Sequence, residues 1–144
     1  MSSERSVGVI GLGSVGRAVL KTFQYFYPHC VGYDIVGDYS WEDILETDVV
    51  FVCVPTPEGE DGRLDCTEVD RVLGRLSESG YKGLVIIKST VRIGYMESAS
   101  KKHPRLRLVY MPEFLRERSS FVWFVNPDRI VASGDPLDVE EALS

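Results

Sequence analysis

"VGVIGLGSVGRAVL", residues 7–20, decides how this chain is read. A short apolar run of strand length passes straight into glycines at 11, 13 and 16, and the residues after them have helical periodicity, with Val15, Val19, Leu20 and Phe23 on one face. The spacing alone decides little, because glycines also simply end strands. Its position does more: directly after a strand and opening a helix, Gly11 makes a tight turn, Gly13 admits a pyrophosphate to the backbone, and Gly16 lets helix and strand pack closely. The N–H groups around Leu12, Ser14 and Val15 at the helix start then face the phosphates.

That reading requires an acidic residue about 20 positions further on, at the end of the next strand, and Asp34 in VGYDI stands there. A carboxylate at that place accepts hydrogen bonds from a ribose diol and repels a 2′-phosphate, so the expected ligand is a dinucleotide, NAD in preference to NADP. The residues by themselves leave one alternative open, that Asp34 only begins a turn with Gly37.

Outward from this stretch, apolar runs recur as SVGVIG, CVGYD, DVVFVCVP, GLVIIKST and LRLVYMP, each rich in Val and Ile. Helical patterns separate them. One spans residues 15–26; a second, over 66–79, places Val69, Val72, Leu73 and Leu76 on one face; a polar one over 93–102 suits the surface; and 41–45 supplies a turn or two. The alternation predicts an α/β, Rossmann-like doubly wound sheet of five or six mainly parallel strands, covered by helices on both faces. Its first strand is expected in the interior, between those near Val31 and Val50. The Gly, Pro and Asp cluster PTPEGEDGRLD is expected to be a mobile loop after the third strand.

The 144 residues amount to one ordinary domain, and their net charge of −6, with no basic stripe, points away from nucleic acid. Gly11 and Gly13 interrupt the first apolar run long before a secretory or membrane-spanning length, so a soluble, cytoplasmic chain that does not enter membranes is expected. Cys30, Cys53 and Cys66 form no C-x-x-C pair and read as reduced thiols, Cys53 within a strand. His29 and His103 lack metal-ligand spacing, so no metal is expected.

Three further segments carry a family resemblance: VFVCVPTP (50–57), VIIKSTVRIG (85–94), and MPEFLRE followed by NPDRIVASG (111–117 and 126–134). With the glycine motif, and in the same order, they resemble the amino-terminal NAD-binding domain of the UDP-glucose and GDP-mannose dehydrogenases. The resemblance implies NAD-dependent oxidation of a nucleotide sugar's primary alcohol to the carboxylate, such as UDP-glucose to UDP-glucuronate. It proceeds by two hydride transfers through a thiohemiacetal and a thioester, a step of nucleotide-sugar metabolism and polysaccharide biosynthesis.

It also implies site residues. Val54, Pro55, Thr56 and Pro57 would line the cofactor, though a strand ending in a proline-stiffened turn describes them equally. Ser89 and Thr90 would stand near the nicotinamide, or merely cap a strand. Thr90 with Glu117 would position the water that hydrolyses the thioester, and Glu113 would assist proton transfer, while Glu113, Phe114, Leu115, Arg116 and Glu117 together would meet the substrate. Without the motif, the two glutamates read as solvated charges.

The chain departs from that family in four ways. The connecting helix and second nucleotide-binding domain, which carry the family's catalytic cysteine, lysine and asparagine, are not within these residues, and none of Cys30, Cys53 and Cys66 has the glycine-rich surroundings of that cysteine. From Asp34 to Val49 there are only about 14 residues, close to the minimum of about ten to twelve for a crossover, so one family edge strand is expected to be missing. Arg92 stands where proline is usual, and Met111 and Arg118 replace the asparagine and glycine that flank the PEFLRE segment.

A single domain that binds NAD is therefore expected, inactive alone, with a nucleotide sugar bound only if a missing domain completes the site, and with a homodimer as one assembly it allows. Two readings compete with it. One is a non-catalytic module that binds NAD or a partner through an exposed sheet edge; the other is a β-hydroxyacid-type dehydrogenase, against which KST and PEFLRE speak.

Overall fold

The computed structural model describes residues 5–112 and 131–144. Six strands, β1 (Val7–Ile10), β2 (Cys30–Tyr33), β3 (Val49–Val52), β4 (Leu84–Ile87), β5 (Arg107–Tyr110) and β6 (Ser133–Gly134), form one sheet in the order β2-β1-β3-β4-β5-β6. All pairs are parallel except β5 with β6, and β1 lies between β2 and β3 as expected.

The helices are α1 (Ser14–Phe26), α2 (Trp41–Leu45), α3 (Thr67–Glu78), α4 (Tyr95–Lys102) and α5 (Pro136–Leu143). Side chains alternate across a strand, so each strand feeds two cores. Val7, Val9, Val49, Phe51, Leu84, Ile86 and Val109 pack on the side of Val19, with Val139 and Ala142 of α5 against them. Ile10, Val50, Val52, Val85, Ile87 and Leu108 pack on the other side, beneath Ile44, Val69, Leu73, Leu76 and Ala99. Both faces of the parallel sheet are therefore dry, which is why these strands read as continuous apolar runs.

Several boundaries differ from the sequence reading. α4 begins at Tyr95, because Gly94 takes a left-handed φ of +83° immediately before it, and Ile93 stays outside, fully exposed. Nor does α4 merely float on the surface: Tyr95 and Ala99 are buried. The loop after β3 closes on itself. Glu58 bridges Leu64, the Gly59 N–H donates to the Arg63 carbonyl at 2.7 Å, and the Asp65 N–H donates to the Pro57 carbonyl at 2.7 Å. The crossover from β2 to β3 contains only α2, so β2 forms the sheet's edge among the described residues.

β6 and α5 had no counterpart in the sequence reading. Arg107 at the start of β5 secures them, its guanidinium lying 2.8 Å from Asp138 and 2.9 Å from Glu141, while Asp135 caps α5 by accepting from the Leu137 N–H at 3.0 Å. Among the described residues, no helix is long and apolar enough to cross a membrane.

Candidate functional site

From β1 the chain passes through α1 to β2 on one side, then crosses back from β2 through α2 to β3 on the other, and this change of direction opens a crevice at the carboxyl ends of the strands. A cleft of about 860 Å³ occupies it. Its floor is the glycine turn. Gly11 has φ +91°, its N–H donates to the Tyr33 carbonyl at 2.8 Å, and a Cβ there would stand 2.8 Å from the backbone of Cys53. A Cβ on Gly16 would fall 1.6 Å from the Gly11 carbonyl oxygen. Both positions are thus closed to any side chain by the protein itself.

Gly13 differs. A Cβ on it would meet nothing within 4 Å, and Gly13 lines the cleft. It also precedes α1 as a cap without a side-chain hydrogen bond, and no acidic residue stands in the first helical turn. The opening N–H groups of α1 therefore face an open, uncapped space, which suits a phosphate anion. Arg17 steadies the loop from below, its Nε donating to the Leu12 carbonyl at 2.9 Å.

Asp34 stands at the tip of β2 and is half-buried. One carboxylate oxygen accepts from the Leu12 N–H at 2.8 Å and the other from the Val36 N–H at 3.1 Å. The Leu12 bond is the main cause holding this carboxyl below its usual value, opposed by partial burial and helped by the Val36 bond. The turn reading of Asp34 is met, since the Val36 bond begins the turn that passes through Gly37 at φ +111°, and the carboxylate still borders the cleft. A carboxylate offers about four acceptor sites, so two bonds to backbone leave room for a ribose diol.

The far wall comes from the ends of β3 and β4. The Ser89 hydroxyl donates to the Val54 carbonyl at 2.6 Å, and the Thr56 hydroxyl donates to the Thr90 carbonyl at 2.6 Å, stitching the two tips together. With their protons committed, both hydroxyls present only lone pairs to a ligand. Gly11, Leu12, Gly13, Ser14, Val15, Asp34, Val54, Pro55, Thr56, Ser89 and Thr90 all line the cleft. Pro57 does not, and Gly16 lies beneath the floor. Glu113, Phe114, Leu115, Arg116 and Glu117 lie outside the described residues.

Some lining residues were not anticipated. Lys88 is buried at 6% exposure beside Ser89, and its signal was a cation closing the apolar run of β4. At the β2 end stand Tyr33, Ile35, Val36, Trp41, Val72 and Arg75. Val72 packs against the core from α3 as its period requires and, being half-buried, also borders the cleft. The three cysteines are buried free thiols, and desolvation raises the pKa of Cys30.

Comparison with known proteins gives this geometry a family. Residues 36–143 match the family model described as "UDP-glucose/GDP-mannose dehydrogenase family, NAD binding domain". The chain is 31% identical over 113 residues to the UDP-glucose 6-dehydrogenase of Pseudomonas aeruginosa, covering 71% of this chain and 25% of that protein. It is 36% identical over 122 residues to UDP-glucose 6-dehydrogenase AglM of Haloferax volcanii, covering 73% and 28%. The chain thus spans about a quarter of the length of these curated relatives. Among solved structures, a UDP-glucose dehydrogenase from Pyrobaculum islandicum has a similar fold, with a TM-score of 0.83 at 24% identity over 99% of this chain and 43% of that one. The glycine turn precedes the matched residues and rests on its own geometry, while everything from the turn after Asp34 to the end of α5 lies within the match: this chain belongs to the UDP-glucose/GDP-mannose dehydrogenase family and carries its NAD-binding domain.

Proposed function

We propose that these 144 residues hold NAD for the oxidation of a nucleotide sugar, with UDP-glucose as the leading substrate, and that alone they bind NAD without reducing it. The observation that carries the first part is the cradle at Gly13: open space at the uncapped start of α1, with the Asp34 carboxylate beside it. Gly13, Ser14 and Val15 would take the pyrophosphate, and Asp34 would take the adenosine ribose in preference to a 2′-phosphate. When bound, NAD supplies a hydride acceptor. The ends of β3 and β4 would receive the nicotinamide end, where the Ser89 and Thr56 oxygens act as acceptors.

The second part rests on what alignment is worth. Holding a reacting carbon against its acceptor accounts for about 7 to 11 kcal/mol of a barrier. The roles that family resemblance gives to Thr90, Glu113 and Glu117, positioning water and assisting proton transfer, make up one side of such a site. Cys30, Cys53 and Cys66 are all buried, and Cys53, which borders the cleft just past β3, stands against the Gly11 turn at the cofactor's end of it and not where a sugar would lie. The full activity then requires residues beyond these, from a further segment or another chain.

Titration of NAD, followed by addition of UDP-glucose with absorbance read at the NADH band, tests both parts. Binding without NADH formation is expected. No NAD binding would overturn the cofactor role, and steady NADH formation abolished by Glu117→Ala would overturn the incompleteness.

A further inference from the structure

The β2 end of the cleft is built in an unusual way. Beyond Asp34, Ile35 and Val36 are 83% and 78% exposed, large apolar side chains with nothing over them. Arg75, on α3, lines the same cleft. Its guanidinium carbon sits 4.1 Å from the centre of the Trp41 ring and 5.4 Å from that of Tyr33, and its Nη1 donates to the Tyr33 hydroxyl at 2.7 Å. The two rings meet edge to face at 5.2 Å, and the Trp41 Nε1 donates to the Ser79 hydroxyl at 3.3 Å. Trp41 is buried, whereas Arg75 is exposed.

An exposed arginine ordinarily gains little from staying in one place. Here two rings and a hydroxyl fix it, and all three partners are uncharged. Its neighbour Arg71 is different, since its charge is met by Glu68 at 2.6 Å. The cleft therefore offers a flat cation, held by those partners and not neutralised by them, in one lining with two uncovered aliphatic side chains. That combination suits a planar, apolar-faced ring with acceptor nitrogens on its rim. Adenine is such a ring, and the Asp34 ribose position places it there.

Resting on the reading of the cleft as a dinucleotide site, we propose that Arg75, locked on Trp41 and Tyr33, is the residue that positions the adenine base of the cofactor, stacking on one face while Ile35 and Val36 cover the other. The base is thus read from α3, not from the loop after β2, which carries no cation between Asp34 and Trp41. Lysine would not serve, since an ammonium neither stacks as a plane nor keeps the fixed fork that reaches the Tyr33 hydroxyl.

Calorimetry with NAD, ADP-ribose and nicotinamide mononucleotide on the 144-residue chain tests this, alongside ligand-free melting temperatures. Arg75→Met keeps the stem and removes the planar cation. It is expected to weaken NAD and ADP-ribose by the same factor, about tenfold, and to leave nicotinamide mononucleotide unchanged. Arg75→Lys should remain within about threefold of Arg75→Met. Should Arg75→Met melt early, Tyr33→Phe, which keeps the ring and removes only the hydroxyl that anchors Arg75, should still weaken ADP-ribose about threefold. ADP-ribose binding unchanged in Arg75→Met, full recovery in Arg75→Lys, or an equal loss for nicotinamide mononucleotide would each overturn the proposal while the dinucleotide reading stood. If the unmutated chain bound neither NAD nor ADP-ribose, the dinucleotide reading would fail and take this proposal with it.

Discussion

Gly16→Ala and Gly74→Ala are the same chemical change in two helices, and the structure gives them opposite signs. In an open helix interior the added methyl stabilises by up to about 1 kcal/mol, because glycine is the more costly residue to order. Gly74, inside α3, would carry its Cβ into space with nothing within 4 Å, so it should show that gain undiluted. Gly16, inside α1, would carry it to 1.6 Å from the Gly11 carbonyl oxygen and 2.8 Å from that carbonyl's carbon. Those atoms are backbone and cannot rotate away, and Gly11 is itself pinned by its N–H bond to the Tyr33 carbonyl at 2.8 Å. Relief requires the turn or α1 to move off β1. Overpacking of this kind costs about 1 to 3 kcal/mol, and with backbone as the obstacle the upper end applies. After subtracting the helical gain, Gly16→Ala should lose about 2 kcal/mol. At roughly 3 °C per kcal/mol for a chain of this size, melting followed by circular dichroism should fall about 6 °C for Gly16→Ala and rise about 2 to 3 °C for Gly74→Ala. A rise for Gly16→Ala would refute the reasoning, because it would mean that α1 does not press against the glycine turn.

Gly13→Ala should melt normally, since its Cβ meets no protein atom, yet weaken NAD at least tenfold by occupying the phosphate's place, as calorimetry would read. Asp34→Asn keeps an acceptor for the Leu12 N–H and loses the charge, so the ratio of NAD to NADP affinity should fall about tenfold, and an unchanged ratio would remove Asp34 from cofactor selection. Burial, helped by Lys102 and opposed by Asp70, holds the His103 imidazole below its usual value, and its Nε2 finds no hydrogen-bond partner among the described residues. The unfolded chain therefore takes up that proton first as pH falls through about 6.5, so this contribution is fully present above that pH and is lost below it. Denaturant midpoints compared at pH 7.5 and 5.5 should drop less in His103→Leu than in the unmutated chain.

The parts of the site made of backbone were legible in the sequence, and the parts made of meeting side chains were not. A glycine states its own reason: Gly11 and Gly16 are excluded from any other identity by contacts of under 3 Å, and the strand and helix on either side could be recognised by period. Asp34 was legible because its distance along the chain fixes it at the tip of β2, whatever the helices do. Trp41, Tyr33 and Arg75 come from α2, β2 and α3, and Arg75 lies 42 residues from the tyrosine whose hydroxyl it meets. No local period records that encounter. β6 and α5 escaped for a related reason. Two residues are too few to alternate, and α5 has no fully buried residue, so its place depends on Arg107 reaching Asp138 and Glu141 across the fold.

Val72 shows where the two kinds of signal part. By period it belongs with Val69, Leu73 and Leu76, and those three are completely buried while Val72 is not. An apolar stripe on a helix records every surface that prefers to leave water, and a stripe wider than the core requires leaves a remainder at its margin. On α3 that margin is the cleft wall, with Val72 three residues before Arg75 and one after Arg71. The same surplus appears at Ile35 and Val36, which no helix covers. Apolar surface that the core leaves exposed, in one cleft with a cation held by aromatic rings, is what a bound base would bury. On the proposed reading such a remainder would mark the base's place more directly than the charged residues do, since Arg71 and Arg107 spend their charge on partners within the protein.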